Sequence, residues 1–166
     1  MGVKVEGAER ISELWARAPA LTAEELTRAT WEAELLLERE IKDLTPVGVG
    51  GAGGLRGSIA ARQPRVMADN VLGAVGTSVA HALPVELGTK PHFPPIEPLR
   101  DWVERKLDVP EKDSYGVALR IARKIAARGT LAVGMFHRAF GATRGQVELM
   151  YSAARERIVQ GLGGGS

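Results

Sequence analysis

The sequence predicts a fold that combines several helices with a small number of strands. An apolar residue recurs with a 3.6-residue period across residues 22–44, which indicates a long amphipathic helix. Residues 58–66 and 71–79 are two short strand-like stretches, and the turn-forming segment 67–70 separates them. Further helical stripes follow in the second half of the chain, bounded by prolines and glycines.

Size and composition restrict the class of protein. The chain has 166 residues, of which 45% are hydrophobic, so one domain with a useful core is expected. The net charge is only +2, from 22 basic and 20 acidic residues, which does not favour a dedicated nucleic-acid binder. Cysteine is absent, which excludes disulfides, zinc-thiolate sites and thiol catalysis.

No membrane association or export is expected. No apolar run approaches the roughly 20 residues that cross a bilayer, and the N-terminus lacks the apolar segment of a signal peptide. The expected compartment is therefore the cytosol of the producing cell. Residues 163–166, Gly-Gly-Gly-Ser, are interpreted as a linker or tag remnant.

The N-terminal third is expected to hold a strand and two helices. Residues 3–6 alternate apolar and polar side chains, as a short strand does. Residues 8–18 predict a helix that Pro19 ends. Thr22 and Glu25 have the spacing of a capping box, which would begin the long helix.

The middle of the chain is predicted to be a loop followed by strands. Residues 46–57 include six glycines, so this segment is expected to be mobile in the free subunit. After the two strands, residues 81–87 suggest a third strand, which Pro84 would confine to a sheet edge.

Three helices are expected after the prolines of residues 91–98. The first begins at Pro95 or Pro98 and ends near Leu107. Asp113 or Ser114 would cap the second, which ends before Gly129. The third covers residues 136–162 and would be broken near Gly141 or Gly145.

Catalytic and ligand-binding motifs are weak in this chain. The glycine run lacks the Lys-Ser/Thr pair of a phosphate loop and precedes a strand instead of a helix. His81 and Glu86 would lie on opposite faces of the predicted strand, which does not favour a metal site. Ser58 lacks a nucleophile elbow. We therefore expect no catalytic residue, no cofactor and no metal.

One helix is unusually basic, and two interpretations of it are open. Arg120, Arg123 and Lys124 share a face at i, i+3 and i+4 spacing. The simpler interpretation is a solvated face beside the apolar stripe. The other is a surface for a partner or for DNA, so the alternative function is a DNA-binding or DNA-channel module that uses residues 120–128.

Three short elements of the chain match the framework of one known protein family. Pro46 matches the proline of a loop-strand element, and residues 135–140 resemble a Pro-Phe segment before the last helix. The other matching residues are Gly54, Leu55, Ser58 and Ile59 in the loop-strand element, and Ala82, Glu86, Gly88 and Thr89 in the next element. This pattern resembles the HK97 gp10-like family of siphophage neck and tail-completion proteins. The chain departs from the family at Thr45, where alanine is usual, and at His81, where tyrosine is usual.

The resemblance implies an α+β fold. A small antiparallel sheet would pack on the long N-terminal helix and on the C-terminal helix, within a single domain of residues 1–162. Residues 93–133 replace a short family loop, which implies an inserted helical hairpin.

The resemblance also implies a function. The chain would be a structural virion protein, not an enzyme, and would form a ring at the head–tail junction after assembly in the host cytoplasm. Its partners would be further copies of itself, head-completion or connector proteins, tail-tube or tail-terminator proteins, and passing DNA contacted without sequence specificity. The residues expected at interfaces are Pro46, Gly54, Leu55, Arg56, Glu86, Gly88, Thr89, Arg120, Arg123 and Lys124.

Overall fold

The computed structural model describes residues 7–48, 54–68 and 70–163. About 70% of these residues are helical, and a two-stranded antiparallel sheet packs against the long N-terminal and C-terminal helices, which confirms the predicted α+β class. In chain order the elements are α1 (Ala8–Leu44), α2 (Leu55–Ser58), β1 (Ala60–Met67), β2 (Asn70–Gly76), α3 (Ala82–Leu87), α4 (Ile96–Leu107), α5 (Glu111–Arg128) and α6 (Met135–Gly163).

Internal contacts divide the chain into two compact units. The first comprises Met1–Arg39, Ala61–Gly76 and Gly141–Ser166, and the second comprises Glu40–Ala60 and Thr77–Phe140. The predicted first strand at residues 3–6 and the linker residues 164–166 lie outside the described residues, as does most of the glycine run. The assignment of residues 1–162 to a single domain stays a prediction.

In the first unit, α1 and α6 run antiparallel. The Thr30 hydroxyl lies 3.0 Å from that of Tyr151, and the Glu25 carboxylate accepts a hydrogen bond from Arg157, further along α6. Small residues let the two helices approach: Ala29 and Ala154 are fully buried. Thr30 pairs with Tyr151, whereas Glu25, which is earlier on α1, pairs with Arg157, which is later on α6. The two helices therefore run in opposite directions.

The two strands of this unit are tied to α1 by carboxylates. Glu38 accepts a hydrogen bond from the backbone N–H of Ala61 at 2.7 Å, and Glu34 accepts one from the N–H of Ala74. Gly73 permits the approach, because a β-carbon there would lie 2.5 Å from the Glu34 carboxylate and 2.6 Å from the Thr30 methyl group. The absence of a side chain at position 73 therefore sets how closely the sheet lies on the helix.

The predicted break at Pro19 is wrong. Helix α1 continues through this proline, and the predicted capping box of Thr22 and Glu25 lies inside the helix. Proline removes one hydrogen bond, to the carbonyl of Trp15, but the side chains around it are mostly exposed. The capping-box prediction failed because the helix begins at Ala8, about four turns before Thr22. The N–H groups near Thr22 already have helical acceptors and need no cap.

The predicted third strand is also wrong, because residues 82–87 form the short helix α3. Pro84 is the third residue of this helix, in the first turn, where an N–H group has no helical acceptor and its absence costs little. The predicted break in the last helix is not observed either. Helix α6 passes through Gly141 and Gly145, and neither glycine has a neighbour within 4 Å of the position a β-carbon would take.

Helices α4 and α5 form the predicted hairpin in the second unit. Asp108, in the left-handed conformation with φ 52°, ends α4, and only two residues separate it from the start of α5. The buried Ser114 donates a hydrogen bond to Glu104 across the hairpin at 2.7 Å. Ser114 therefore does not cap α5 as predicted; the helix begins at Glu111, after Pro110, and ends before Gly129 as expected.

One buried carboxylate in the first unit is incompletely bonded. Glu34 is only 4% exposed, and its Oε2 atom has no hydrogen-bond partner among the described residues. Burial raises the pKa of Glu34 above 4.5, although the hydrogen bond from the Ala74 N–H acts in the opposite direction. Compared with the unfolded chain, the folded state therefore binds the proton of this side chain more tightly.

A raised pKa makes stability depend on pH in a defined direction. The folded protein binds the Glu34 proton more tightly than the unfolded chain does, so this contribution is complete at low pH. This stabilising contribution is lost as the pH rises from the ordinary carboxyl pKa of the unfolded chain through the higher pKa of Glu34 in the folded protein. Glutamine carries no charge at any pH, so we expect the free energy of unfolding of Glu34→Gln to rise relative to that of the wild type as the pH rises. The difference should approach about 1–3 kcal/mol, which is the cost of a buried unpaired group.

Urea unfolding at a series of pH values from mildly acidic to neutral measures this difference. The matched control is Glu32→Gln, an exposed glutamate on the same helix. If the two variants differ from the wild type by the same amount at every pH, Glu34 is not buried as described.

Candidate assembly site

All ten residues predicted at interfaces lie in the second unit, but they form three separate groups. Glu86, Gly88 and Thr89 follow one another at the end of α3. Pro46, Gly54, Leu55 and Arg56 flank the glycine run, and Arg120, Arg123 and Lys124 lie on α5. Each group is best understood from its own contacts.

The first group joins two distant parts of the chain. Thr89 and Thr130 form an isolated antiparallel bridge, in which each backbone N–H donates to the carbonyl of the other, at 3.1 and 3.2 Å. Their hydroxyl groups also lie 3.0 Å apart. Val133 and Gly134 donate their N–H groups to carbonyls at residues 85 and 86. The pairing of residues 85–89 with residues 129–134 is here named the clasp.

Two glycines make the clasp possible. Gly88 and Gly129 both have positive φ, 72° and 69°, a conformation that favours glycine. A β-carbon on Gly88 would collide with the backbone at Thr130, and one on Gly129 would collide with the backbone at Thr89. Any side chain at either position would therefore separate the two segments as well as strain the backbone.

Glu86 connects the clasp to the last helix. Its carboxylate accepts hydrogen bonds from the backbone N–H groups of Phe136, at 2.9 Å, and His137, at 3.1 Å. These N–H groups belong to the first turn of α6, where the helix itself offers them no carbonyl acceptor. A negative charge at this end also interacts favourably with the helix dipole. In this chain Glu86 is therefore an N-terminal cap within the subunit.

The clasp holds several leucines in exposed positions. Leu87 precedes Gly88 and is 68% exposed, and Leu131 follows Thr130 and is 94% exposed. Leu83, one turn before Leu87, is also exposed, and it lines an open groove of about 260 Å³ together with Glu86 and Phe136. Leu83, Leu87 and Leu131 are here named the leucine patch.

The second group, Pro46, Gly54, Leu55 and Arg56, is here named the loop group, and it is partly buried. Leu55 is only 5% exposed and Thr45 only 3%, so both belong to the interior of this unit. The Thr45 hydroxyl bonds the Ile41 carbonyl at 2.6 Å at the end of α1, before the exposed Pro46. Leu55 therefore anchors the segment and is not on the surface.

Arg56, at the other end of the loop group, is exposed and within 3.0 Å of Asp43. Residues 49–53 lie outside the described part of the chain, so the predicted mobility of the glycine run and its contacts with neighbours stay predictions.

The basic residues of α5 are exposed, on the side of the helix opposite the buried Ala118 and Ala122. Among the described residues, no acidic side chain lies within 4.0 Å of Arg120, Arg123 or Lys124. The three cations do not contact the clasp or the loop group in any hydrogen bond or ion pair of the described chain. They form a separate surface.

Two further features concern ligands and membranes. Within residues 7–48, 54–68 and 70–163, no group of three histidine, aspartate or glutamate side chains is arranged to hold a metal ion. In the same ranges, no helix is both long and apolar enough to cross a membrane.

Comparison with known proteins gives no match: no protein-family model, no curated protein and no solved structure is similar to this chain at a significant level. Its function therefore has to be inferred from the contacts and surfaces described above.

Sequence reasoning missed the clasp and the buried Glu34. One weak signal for the clasp is present in the sequence: the dipeptide Gly-Thr occurs at residues 76–77, 88–89 and 129–130, and the last two copies pair. For Glu34 no comparable signal exists, because a glutamate on an amphipathic helix is usually exposed.

The cap formed by Glu86 leads to a stability prediction. We expect Glu86→Ala to destabilise the protein by about 0.5–2 kcal/mol, because two N–H groups at the start of α6 lose their acceptor. Urea unfolding at neutral pH measures the change. The control is Glu148→Ala, which removes an exposed ion pair with Arg144 on the same helix and should cost about 0.5 kcal/mol or less. Equal effects in the two variants would contradict the capping role.

Proposed function

We propose that this chain is a structural subunit of a ring at the head–tail junction of a tailed phage, where it joins the connector to the tail. The proposal rests on the resemblance to neck and tail-completion proteins and on one observation, the leucine patch. In this role the protein is not an enzyme and requires no cofactor.

The leucine patch carries the proposal because its exposure is unfavourable for an isolated chain. Burying one leucine side chain in an interface contributes about 1.5–3 kcal/mol, so three exposed leucines are a large unused driving force. The clasp restricts the backbone at Leu87 and Leu131 before any partner arrives. Little conformational entropy is then lost when they become buried.

Exposed apolar side chains occur elsewhere too. Eighteen large hydrophobic side chains of the described residues are each at least 37% exposed, whereas half of the twelve buried hydrophobic residues are alanines. A subunit that completes its apolar contacts in an assembly has this distribution. A ring needs two different surfaces per subunit, one that meets the preceding copy and one that meets the next.

Residues that match the neck-protein motifs contact one another within the subunit, as the residues of a shared structural framework would. Glu86 and Thr89, from one matched element, form hydrogen bonds with residues between 130 and 137, which include the start of the last matched element. Gly88, from the same element, lies against the backbone at Thr130. These residues would be retained because they fix the position of the leucine patch, while the leucines themselves would meet the neighbouring subunit.

The ring makes the leucine patch essential for self-association. We expect the wild-type protein to form a closed multimer and the double variant Leu87→Glu/Leu131→Glu to be a monomer, because charges would be buried in the interface. Both side chains are exposed in the subunit, so its unfolding free energy should change by no more than about 0.5 kcal/mol. Light scattering over a wide concentration range measures the mass, and electron microscopy shows whether the multimer is a ring.

The matched control is Leu149→Glu, which places the same charge at a leucine that is 71% exposed in the first unit. It should leave the mass unchanged. A wild-type protein that stays monomeric at every concentration, or a control that dissociates the multimer equally, would contradict the role of the patch.

The location of the ring needs a separate test. Phage particles induced from the source organism and purified by density should contain this chain at a few copies per particle, as quantitative mass spectrometry can measure. Its absence from purified particles, with an abundant soluble pool in the same cells, would contradict the head–tail location even if a ring forms.

A further inference from the structure

The C-terminal half of α5 carries four cations on its exposed side. Arg120, Arg123, Lys124 and Arg128, here named the basic face, are all exposed, and the last of them is in the final turn of the helix. Ala118 and Ala122, on the opposite side of the helix, are fully buried in the hairpin. The basic face is therefore the solvent side of a helix that is fixed on its other side.

The basic face has no acidic neighbours. In the sequence, no aspartate or glutamate occurs between Asp113 and Glu148. Among the described residues, none of the four cations has an acidic group within 4.0 Å. The other end of the hairpin differs, because Arg100 lies within 4.0 Å of Glu97, Glu104 and Glu111. Charge is thus segregated along the hairpin: its acidic residues all lie between residues 97 and 113, and none lies in the part of α5 that carries the basic face.

This arrangement is unfavourable for the helix itself. Arg120 lies three residues before Arg123 and four before Lys124, and Lys124 lies four before Arg128. Like charges at these spacings destabilise a helix, and an acid at position 124 would instead form two favourable pairs. Only Arg128 gains from the helix dipole, which acts within the last turn. A polyanionic partner would remove the repulsion among all four.

The spacing suits a nucleic-acid backbone. Arg120, Lys124 and Arg128 follow one another at intervals of four residues, which is about 6 Å along the helix axis. Each strand of duplex DNA carries one negative charge per about 3.4 Å of its axis, so a row of this length meets several phosphates. Arginine and lysine both bind phosphate oxygens through charge-assisted hydrogen bonds.

We propose that the basic face binds the phosphate backbone of nucleic acid without sequence specificity. A second copy of this chain is a weaker candidate for the same surface, because the acids of its hairpin are interleaved with Arg100, Arg105, Lys106 and Lys112 and offer no uncompensated acidic row. The inference depends on α5 alone and does not require the ring.

Fluorescence anisotropy with a labelled duplex of arbitrary sequence tests the proposal over a series of salt concentrations. Four phosphate contacts give a slope of log affinity against log salt of about −3.6, which is about a hundredfold loss of affinity between 50 and 200 mM salt. We expect Arg120→Gln/Arg123→Gln/Lys124→Gln to reduce the slope to about −0.9, with at least tenfold weaker binding at low salt.

A matched control removes the same charge from the same hairpin. Arg105→Gln/Lys106→Gln/Lys112→Gln replaces three exposed cations that lie next to acidic residues. This variant should keep the wild-type slope. Absence of binding by the wild type at low salt, or equal losses in the two triple variants, would overturn the proposal. So would a basic-face variant that loses self-association and keeps its DNA affinity, since the surface would then meet another subunit.

A single charge reversal separates binding from folding. Lys124→Glu creates favourable pairs with Arg120 and Arg128, so we expect a higher melting temperature together with DNA binding weakened by tenfold or more. A lower melting temperature with unchanged DNA binding would show that Lys124 serves the stability of the hairpin instead.

Discussion

The second unit depends on one interaction, the bridge between Thr89 and Thr130. The two residues are 41 positions apart in the sequence, and helices α4 and α5 lie between them. Closing a loop of this length costs conformational entropy, which the backbone and hydroxyl hydrogen bonds of the clasp offset. Because Gly88 and Gly129 have no side chains, the two segments meet backbone to backbone. The hairpin of α4 and α5 therefore begins and ends at one fixed place in the unit.

The same interaction determines where the last helix of the unit begins. Residues 133 and 134 bond to the end of α3, and the Glu86 carboxylate then accepts the first N–H groups of α6. The residues that resemble a neck-protein motif thus act within the subunit. Under the proposed function, their effect on assembly is indirect: they hold Leu87 and Leu131 where a neighbouring copy can bury them. The basic face of α5 is a different surface, and a nucleic acid could occupy it while the leucine patch meets protein.

Local patterns predicted most of the elements, and long-range contacts decided the rest. The apolar periods of α1, α5 and α6 and the strand pair around residues 67–70 were evident because each depends on neighbouring residues. Pro19 was misread because it was treated as the end of a helix, and Pro84 because it was placed in an edge strand. The effect of a proline depends on its position in the helix and on exposure. Neither the burial of Glu34 against Gly73 nor the pairing of the two Gly-Thr segments follows from local pattern. Both require residues about 40 positions apart to meet.

Native-state hydrogen exchange tests the clasp most directly, because it follows each amide separately. The N–H groups of Thr89, Thr130, Phe136 and His137 should exchange only through large-scale unfolding, with opening free energies close to the global value. Leu131 provides an internal reference, since its N–H donates no backbone hydrogen bond within the described chain, and it should exchange fast. If the amides of Thr89 and Thr130 exchange as fast as that of Leu131, the clasp does not hold the hairpin, and the leucine patch is not pre-positioned for assembly.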